Sequence, residues 1–168
     1  MIFIIQRGNM ENYFRGLVVR NMVLSKSFGY ALRGILYVSL LKDEDRKVSI
    51  EEIADRLSVP RHFLGKIMKL MVKARIISST RGQQGGFFIN EKTLNTAIIT
   101  IILLTEGTDY FNTCALSLRK CNSTNPCPMH GKVDKCKNDL LDVYRQTTIG
   151  DLLKENKPEF IKSIATKG

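Results

Sequence analysis

Residues 49–74 constrain the fold more than any other stretch. Ser49-Ile50-Glu51-Glu52-Ile53-Ala54-Asp55-Arg56-Leu57 opens with a serine followed three residues later by Glu52. That pair is a capping box, in which the two side chains satisfy the first free N–H groups of a helix. The helix expected from it is short and ends near Ser58-Val59. Pro60 suits the first turn of a new helix, where its missing N–H costs nothing. This second helix runs to about Ala74. Leu64, Ile67, Met68 and Met71 recur at three- and four-residue steps and point inward, which leaves Arg61, His62, Lys66, Lys69 and Lys73 outside. Two helices with a short bend, the second one basic and amphipathic, make a helix-turn-helix pattern.

The adjoining segment strengthens that pattern. Ile76-Ile77-Ser78-Ser79-Thr80 and Phe87-Phe88-Ile89 read as two strands joined by Arg81-Gly82-Gln83-Gln84-Gly85-Gly86. A hairpin after the second helix makes a winged helix, and its glycines let the backbone sit close to a groove wall or to phosphates. Between Arg56 and Asn90 there are seven Lys or Arg residues and no acid, so this segment carries most of a net charge of +10. A concentrated basic surface favours a polyanion, nucleic acid before membrane, over a merely solvated face.

Contacts to double-stranded DNA divide by type. Lys26, Lys66, Lys69 and Lys73 are assigned to phosphates, which position a protein without reading sequence. An ordinary solvated helix face is the alternative for Lys69 and Lys73. Arg61 and His62, in the first turn of the second helix, are the candidates for major-groove base edges. Gln83 and Gln84 at the wing tip, with Gly85 and Gly86, approach the minor groove. Arg81 joins them there or on phosphate, unless it braces the wing.

The rest of the chain has fewer signals. Residues 1–21 show neither helical nor strand period and read as a loose extension, with Met22 opening the first patterned segment. Ser25 or Ser27 caps a helix to about Leu41, with Phe28, Ala31, Leu32, Ile35, Leu36 and Ser39 as its core stripe. Thr93 or Thr96 starts a helix to about Thr105 that is apolar nearly all round and should be buried on more than one side; Gly107 stops it. From about Lys132 to Thr147, Val133, Cys136, Leu140, Val143 and Tyr144 form a narrow seam typical of helix pairing between two chains. Thr148 to Leu153 is a short helical turn, and the tail after Lys157 is loose. No apolar run approaches the roughly 18 residues that span a bilayer. Met1 to Ile5 is too short for a signal-peptide core, so a reducing cytoplasm is expected.

Cys114, Cys121 and Cys127 fall within fourteen residues and are followed by His130, in C-x6-C-x5-C-x2-H spacing. Asn122, Ser123, Thr124, Asn125, Pro126 and Pro128 break any helix or strand there, and an irregular loop can fold its thiols towards one point. Soft thiolates select Zn, Cu(I) or iron–sulfur clusters. Structural zinc usually takes closely spaced ligand pairs, and Cys127 with His130 is the only such pair. The wider spacing suits a multi-iron cluster better, with His130, solvent or a small molecule at the labile corner. Free thiols or a redox disulfide are the alternatives. Cys136, on the apolar seam, reads as packing.

In these residues the chain resembles the Rrf-two family of winged-helix transcription regulators, which includes iron–sulfur biogenesis regulators and nitric-oxide sensors (IscR- and NsrR-like). The resemblance rests on Leu24 to Arg33, Ile53 to Leu64, the wing from Arg81 to Phe87, Glu106-Gly107, the three loop cysteines, Pro128-Met129-His130 and Thr148 to Leu152. It implies a homodimer, paired through the helix around 132–147, whose winged helices bind a pseudo-palindromic operator. It also implies an iron–sulfur cluster (2Fe–2S or 4Fe–4S) on the loop cysteines, which aerobic preparation can strip. Gly29 stands where the nitric-oxide sensors have a ligating aspartate. Gly65 stands where the biogenesis regulators have a glutamate that tunes operator choice.

The expected fold is mainly α with a small β-hairpin wing. A winged helix-turn-helix domain covers 22–106, the cysteine-rich loop 107–131, and a long dimerisation helix with a short C-terminal helix 132–157; 158–168 is tail. The expected function is cluster-modulated DNA binding, not enzyme catalysis. A cluster-free thiol or metal-responsive regulator on the same scaffold is the runner-up. A cluster-carrying redox protein and a plain DNA-binding module with vestigial cysteines come after it.

Overall fold

The structure, a computed structural model, describes residues 24–154 apart from 45, 83, 113, 115 and 117–120. The expected extension at 1–21, the tail at 158–168 and the wing-tip Gln83 lie outside the described residues. Helix α1 (Lys26–Leu40) begins at Ser25, whose Oγ accepts hydrogen bonds from the N–H groups of Ser27 and Phe28. An N-cap hydroxyl satisfies donors that have no partner within the helix. Phe28, Ala31, Ile35, Leu36 and Ser39 are buried as the stripe requires, while Leu32 is half-buried.

Helix α2 (Ile50–Leu57) starts at Ser49, whose Oγ accepts from the Glu52 N–H at 3.2 Å. The other half of the expected capping box is diverted. The Glu52 carboxylate accepts two hydrogen bonds from Arg46, at 2.8 and 2.9 Å, and one from the Tyr37 hydroxyl at 2.8 Å. It thereby joins α1, α2 and the segment between them. Ser58, at φ 52° and ψ 46°, ends α2 in the left-handed region and turns the chain into helix α3 (Arg61–Lys73). Pro60 is the N-cap of α3 rather than part of its first turn. Its carbonyl accepts from the N–H groups of Phe63 and Leu64, so it supplies an acceptor while remaining extended.

The wing pairs β1 (Ser78–Thr80) with β2 (Gly86–Phe88), antiparallel, in the register Ser78↔Phe88, Ser79↔Phe87 and Thr80↔Gly86. The first strand is shorter than expected because Ile76 and Ile77 are drawn into the core. Val48 exchanges two backbone hydrogen bonds with Phe87, at 2.9 and 2.8 Å, and so fastens the wing to the chain before α2. The two terminal wing glycines have reasons inside the fold. A Cβ on Gly86 would lie 2.7 Å from the Val48 carbonyl oxygen, and one on Gly85 would lie 2.5 Å from that of Thr80.

Helix α4 (Ile98–Glu106) starts later than expected, after Ala97, without a side-chain cap. The hydroxyls that suggested an earlier start are engaged elsewhere. Buried Thr93 donates to the Ile76 carbonyl at 2.6 Å and accepts from the Asn90 N–H, while Thr96 donates to the Lys92 carbonyl. The helix packs between α1 and α5 (His130–Gln146), burying Ile98, Ile101 and Ile102 but leaving Leu103 39% exposed. Gly107, at φ 87°, stops it. Helix α5 begins two residues before the expected 132, and none of its described side chains is buried. Val133, Leu140 and Tyr144 of the seam are half-buried, whereas Cys136 is exposed and Val143 is 56% exposed.

Helix α6 (Ile149–Lys154) is capped by Thr148, which exchanges hydrogen bonds with Asp151, and its Ile149 is fully buried. The strand-like segments before α4 and α6 meet. The Ile98 N–H donates to the Thr147 carbonyl, and the N–H groups of Ile149 and Gly150 donate to those of Thr96 and Leu94. Among the described residues no helix is long and apolar enough to cross a membrane. The chain is therefore mostly helical with a two-stranded hairpin following the second helix of a helix-turn-helix pair, the winged arrangement expected.

Candidate nucleic-acid surface and thiol centre

The outward face of α3 is basic because its inward face is consumed by the core. Leu64, Ile67, Met68 and Met71 are buried, and Arg61, His62, Lys66, Lys69 and Lys73 are all exposed. Lys26, in the first turn of α1, and Arg81 and Gln84 on the wing are exposed as well. Arg61 is not free to point anywhere: it forms an ion pair with Glu51 from the first turn of α2. The Glu51 carboxyl is held below the usual carboxylate range, chiefly by its own backbone N–H and further by the Arg61 guanidinium. Sequence reasoning missed this partner. Residues 51 and 61 become neighbours only once the bend at Ser58 sets one helix start beside the other.

The loop between α4 and α5 gathers its thiols. The Sγ atoms of Cys114, Cys121 and Cys127 lie within 4.8 Å of one another, and those of Cys114 and Cys127 are 3.8 Å apart. The Cys127 N–H donates to Cys121 Sγ at 3.4 Å, and His130 Nδ1 sits 3.2 Å from the same sulfur. His130 is brought there because it opens α5 immediately after the turn through Pro128 and Met129, with its N–H bonded to the Cys127 carbonyl. Phe111, Asn122 and Val133 complete a cavity of about 340 Å³ around these groups. Cys136, exposed on α5, is not part of the cluster.

The Cys127 N–H favours the Cys121 thiolate. Partial burial and hydrogen bonding with the Cys127 and Cys114 thiols outweigh it and leave the Cys121 pKa raised. Clustered thiols resist ionising together, and a bound cation inverts that preference because it takes thiolates as ligands. The donor set fits such a group. Metal–sulfur bonds of about 2.3 Å at tetrahedral angles place neighbouring sulfurs roughly 3.8 Å apart, the spacing found between Cys114 and Cys127. Cys114, Cys121 and Cys127 would hold the metal or cluster, with His130 beside them. Gly29 on α1 offers no ligand atom.

Comparison with known proteins agrees with this architecture. The model of the Rrf2 family, described as iron-dependent transcriptional regulators, matches residues 24–155. A chain named as an HTH-type transcriptional regulator of Aquifex aeolicus (strain VF5) is 34% identical over 134 residues, covering 79% of this chain and 92% of its own. Among solved structures, CymR, the global cysteine regulator of B. subtilis, has a TM-score of 0.66 at 18% identity, over 80% of this chain and 98% of the other. T. potens IscR has a TM-score of 0.63 at 22% identity, over 87% and 93%. Those two likenesses carry the fold. The breadth of the family match and the Aquifex relative carry the assignment, and the chain belongs to the Rrf2 family of transcriptional regulators.

Proposed function

We propose that this regulator is a cytoplasmic homodimer whose grip on a DNA operator is modulated by an iron–sulfur cluster. The observation that carries the reading is the convergence of Cys114, Cys121 and Cys127 within 4.8 Å. They lie on a loop that leaves one core helix, α4, and enters the long helix α5. The cluster, 2Fe–2S or 4Fe–4S, would supply a redox- or nitric-oxide-sensitive centre whose potential depends on its ligands. His130 is the proposed fourth ligand, supported by its 3.2 Å approach to Cys121.

The rest of the reading assigns parts to the chain's own residues. Residues 22–106 form the reading unit. Arg61 and His62 meet base edges, and Lys26, Lys66, Lys69 and Lys73 meet phosphates. Arg81, Gln83, Gln84, Gly85 and Gly86 present the wing to the minor groove. Residues 107–131 hold the cluster, and 132–157 pair the two chains. The uncovered seam on α5, with Val143 56% exposed, supports the pairing. A cluster-free thiol or metal-responsive regulator is the second reading. It is favoured by the 3.8 Å separation of Cys114 and Cys127, which already suits a single metal ion, and by the fold shared with a cysteine regulator.

Anaerobic purification with iron and sulfide analysis tests the proposal, combined with duplex binding before and after chelation. Iron and sulfide in equal amounts, with affinity altered by their removal, is the expected result. Sulfide-free protein that binds its duplex with unchanged affinity after chelation would overturn it.

A further inference from the structure

On α3, an apolar strip borders the basic stripe. Phe63 and Leu70, seven residues apart on the helix, are 37% and 36% exposed although they are large hydrophobics. Lys66 lies between them, and His62 and Lys69 lie on the side away from the core. Phe63 is not loose. Its ring meets the half-buried Tyr30 ring of α1 edge to face, with centroids 5.8 Å apart and planes at 84°. An edge-to-face pair of this kind fixes ring orientation. The aromatic surface that remains is therefore held in place, at the N-terminal end of the helix, beside the cations that would meet phosphate.

We propose that Phe63 is a specificity-determining residue that covers the 5-methyl group of a thymine in the operator; this rests on α3 being the groove-reading helix. The surrounding positive charge selects a polyanion, and in a DNA major groove the thymine methyl is the apolar group on the base edges. That methyl projects beside the backbone of its own strand, at the margin of the groove. Phe63 likewise borders the basic face instead of lying at its centre. The neighbouring lysines hold the phosphates of the strand whose methyl the ring covers. Cytosine, which lacks the methyl, is discriminated against without any hydrogen bond from Phe63.

The test uses the full chain and a duplex that the protein itself selects from a random-sequence library. Each thymine is replaced in turn by deoxyuridine, which removes only the methyl. Wild-type protein should lose about four-fold in affinity for each methyl covered, as expected for one buried methyl group. Phe63→Ala should bind the parent duplex more weakly and be indifferent to the same replacement, with Phe63→Leu in between. Melting temperatures and circular dichroism establish that the variants are folded.

If no deoxyuridine position weakens wild-type binding, or if Phe63→Ala stays as sensitive as wild type, the thymine contact is overturned while DNA reading stands. Failure of the protein to select any duplex would overturn the groove-reading role of α3 and this inference with it. The wild-type scan decides the question even if Phe63→Ala does not fold.

Discussion

The Ser25 hydroxyl donates a 2.6 Å hydrogen bond to the Glu106 carboxylate across 81 residues of sequence. Glu106 is the last residue of α4, immediately before the chain departs for the cysteine loop, and Ser25 is the N-cap of α1. The start of the central helix and the root of the cysteine loop are thus fastened to each other. Ser25→Ala removes both this tie and the cap, and should destabilise the protein by about 1–2 kcal/mol. Urea unfolding measures it, and an unchanged midpoint would mean that the tie contributes nothing to stability.

Acid should weaken the fold through Glu52. Its carboxyl lies below the ordinary range, first because Arg46 hydrogen-bonds it, with Tyr37 also donating. A carboxyl depressed by folding contributes stability that is complete above its unfolded value, near 4.5, and is lost as pH falls through the folded value. Glu52→Gln should cost about 1 kcal/mol at neutral pH and flatten the loss of stability below about pH 4.5. Unfolding midpoints measured across that range should converge for the two proteins in acid. Parallel curves would assign the acid sensitivity elsewhere, with Asp151, also depressed by Thr148, the next group to test.

For DNA, Arg61→Ala with Arg81→Ala should abolish specific binding while leaving the proposed dimer intact by size-exclusion chromatography. Six to ten neutralised phosphates per dimer would give log K a slope of about −5 to −9 against log salt concentration. Unchanged affinity for the selected duplex would refute the roles given to these two arginines.

At the thiol centre, if the proposed cluster is held there, Cys121→Ala should lose it and Cys136→Ala should keep it. Cys121 touches both the Cys127 N–H and His130, whereas Cys136 stands exposed on α5 outside the cluster. Full iron and sulfide in the Cys121 variant would exclude it as a ligand.

Gly86→Ala should destabilise the hairpin even without DNA present. Its Cβ would crowd the Val48 backbone, against which the wing is hydrogen-bonded. A loss of about 1–3 kcal/mol is the usual result of forcing extra volume into a packed site. A variant of undiminished stability would leave only a DNA-facing reason for this glycine.

Much of this was legible in the sequence, and the gaps have physical causes. The periodicity of Leu64, Ile67, Met68 and Met71 located both faces of α3 because burial acts on the helical repeat directly. Ser25 and Ser49 marked helix starts because their hydroxyls do accept from the first free N–H groups. Thr93 misled for the opposite reason: its hydroxyl is claimed by Ile76, seventeen residues away, a tertiary bond that no local pattern contains. Likewise Ser49 and Glu52 spell a capping box, yet Arg46 and Tyr37 take the carboxylate. The loop's breakers showed that Cys114, Cys121 and Cys127 could converge. The 3.2 Å approach of His130 to Cys121 depends on α5 starting at 130, two residues earlier than its apolar seam suggested.

The backbone bonds joining Thr96 and Ile98 to Ile149 and Thr147 close the chain on itself. The chain from Ile98 to Thr147, cysteine loop included, sets out and comes back through one doorway. Ile98, Ile101 and Ile102 anchor its outgoing helix in the core, so it is the loop beyond Gly107 that can be shortened, lengthened or exchanged without rerouting the remainder of the polypeptide. On the proposed reading, one DNA-reading body could in this way carry different detectors, each delivering its state to the same gate.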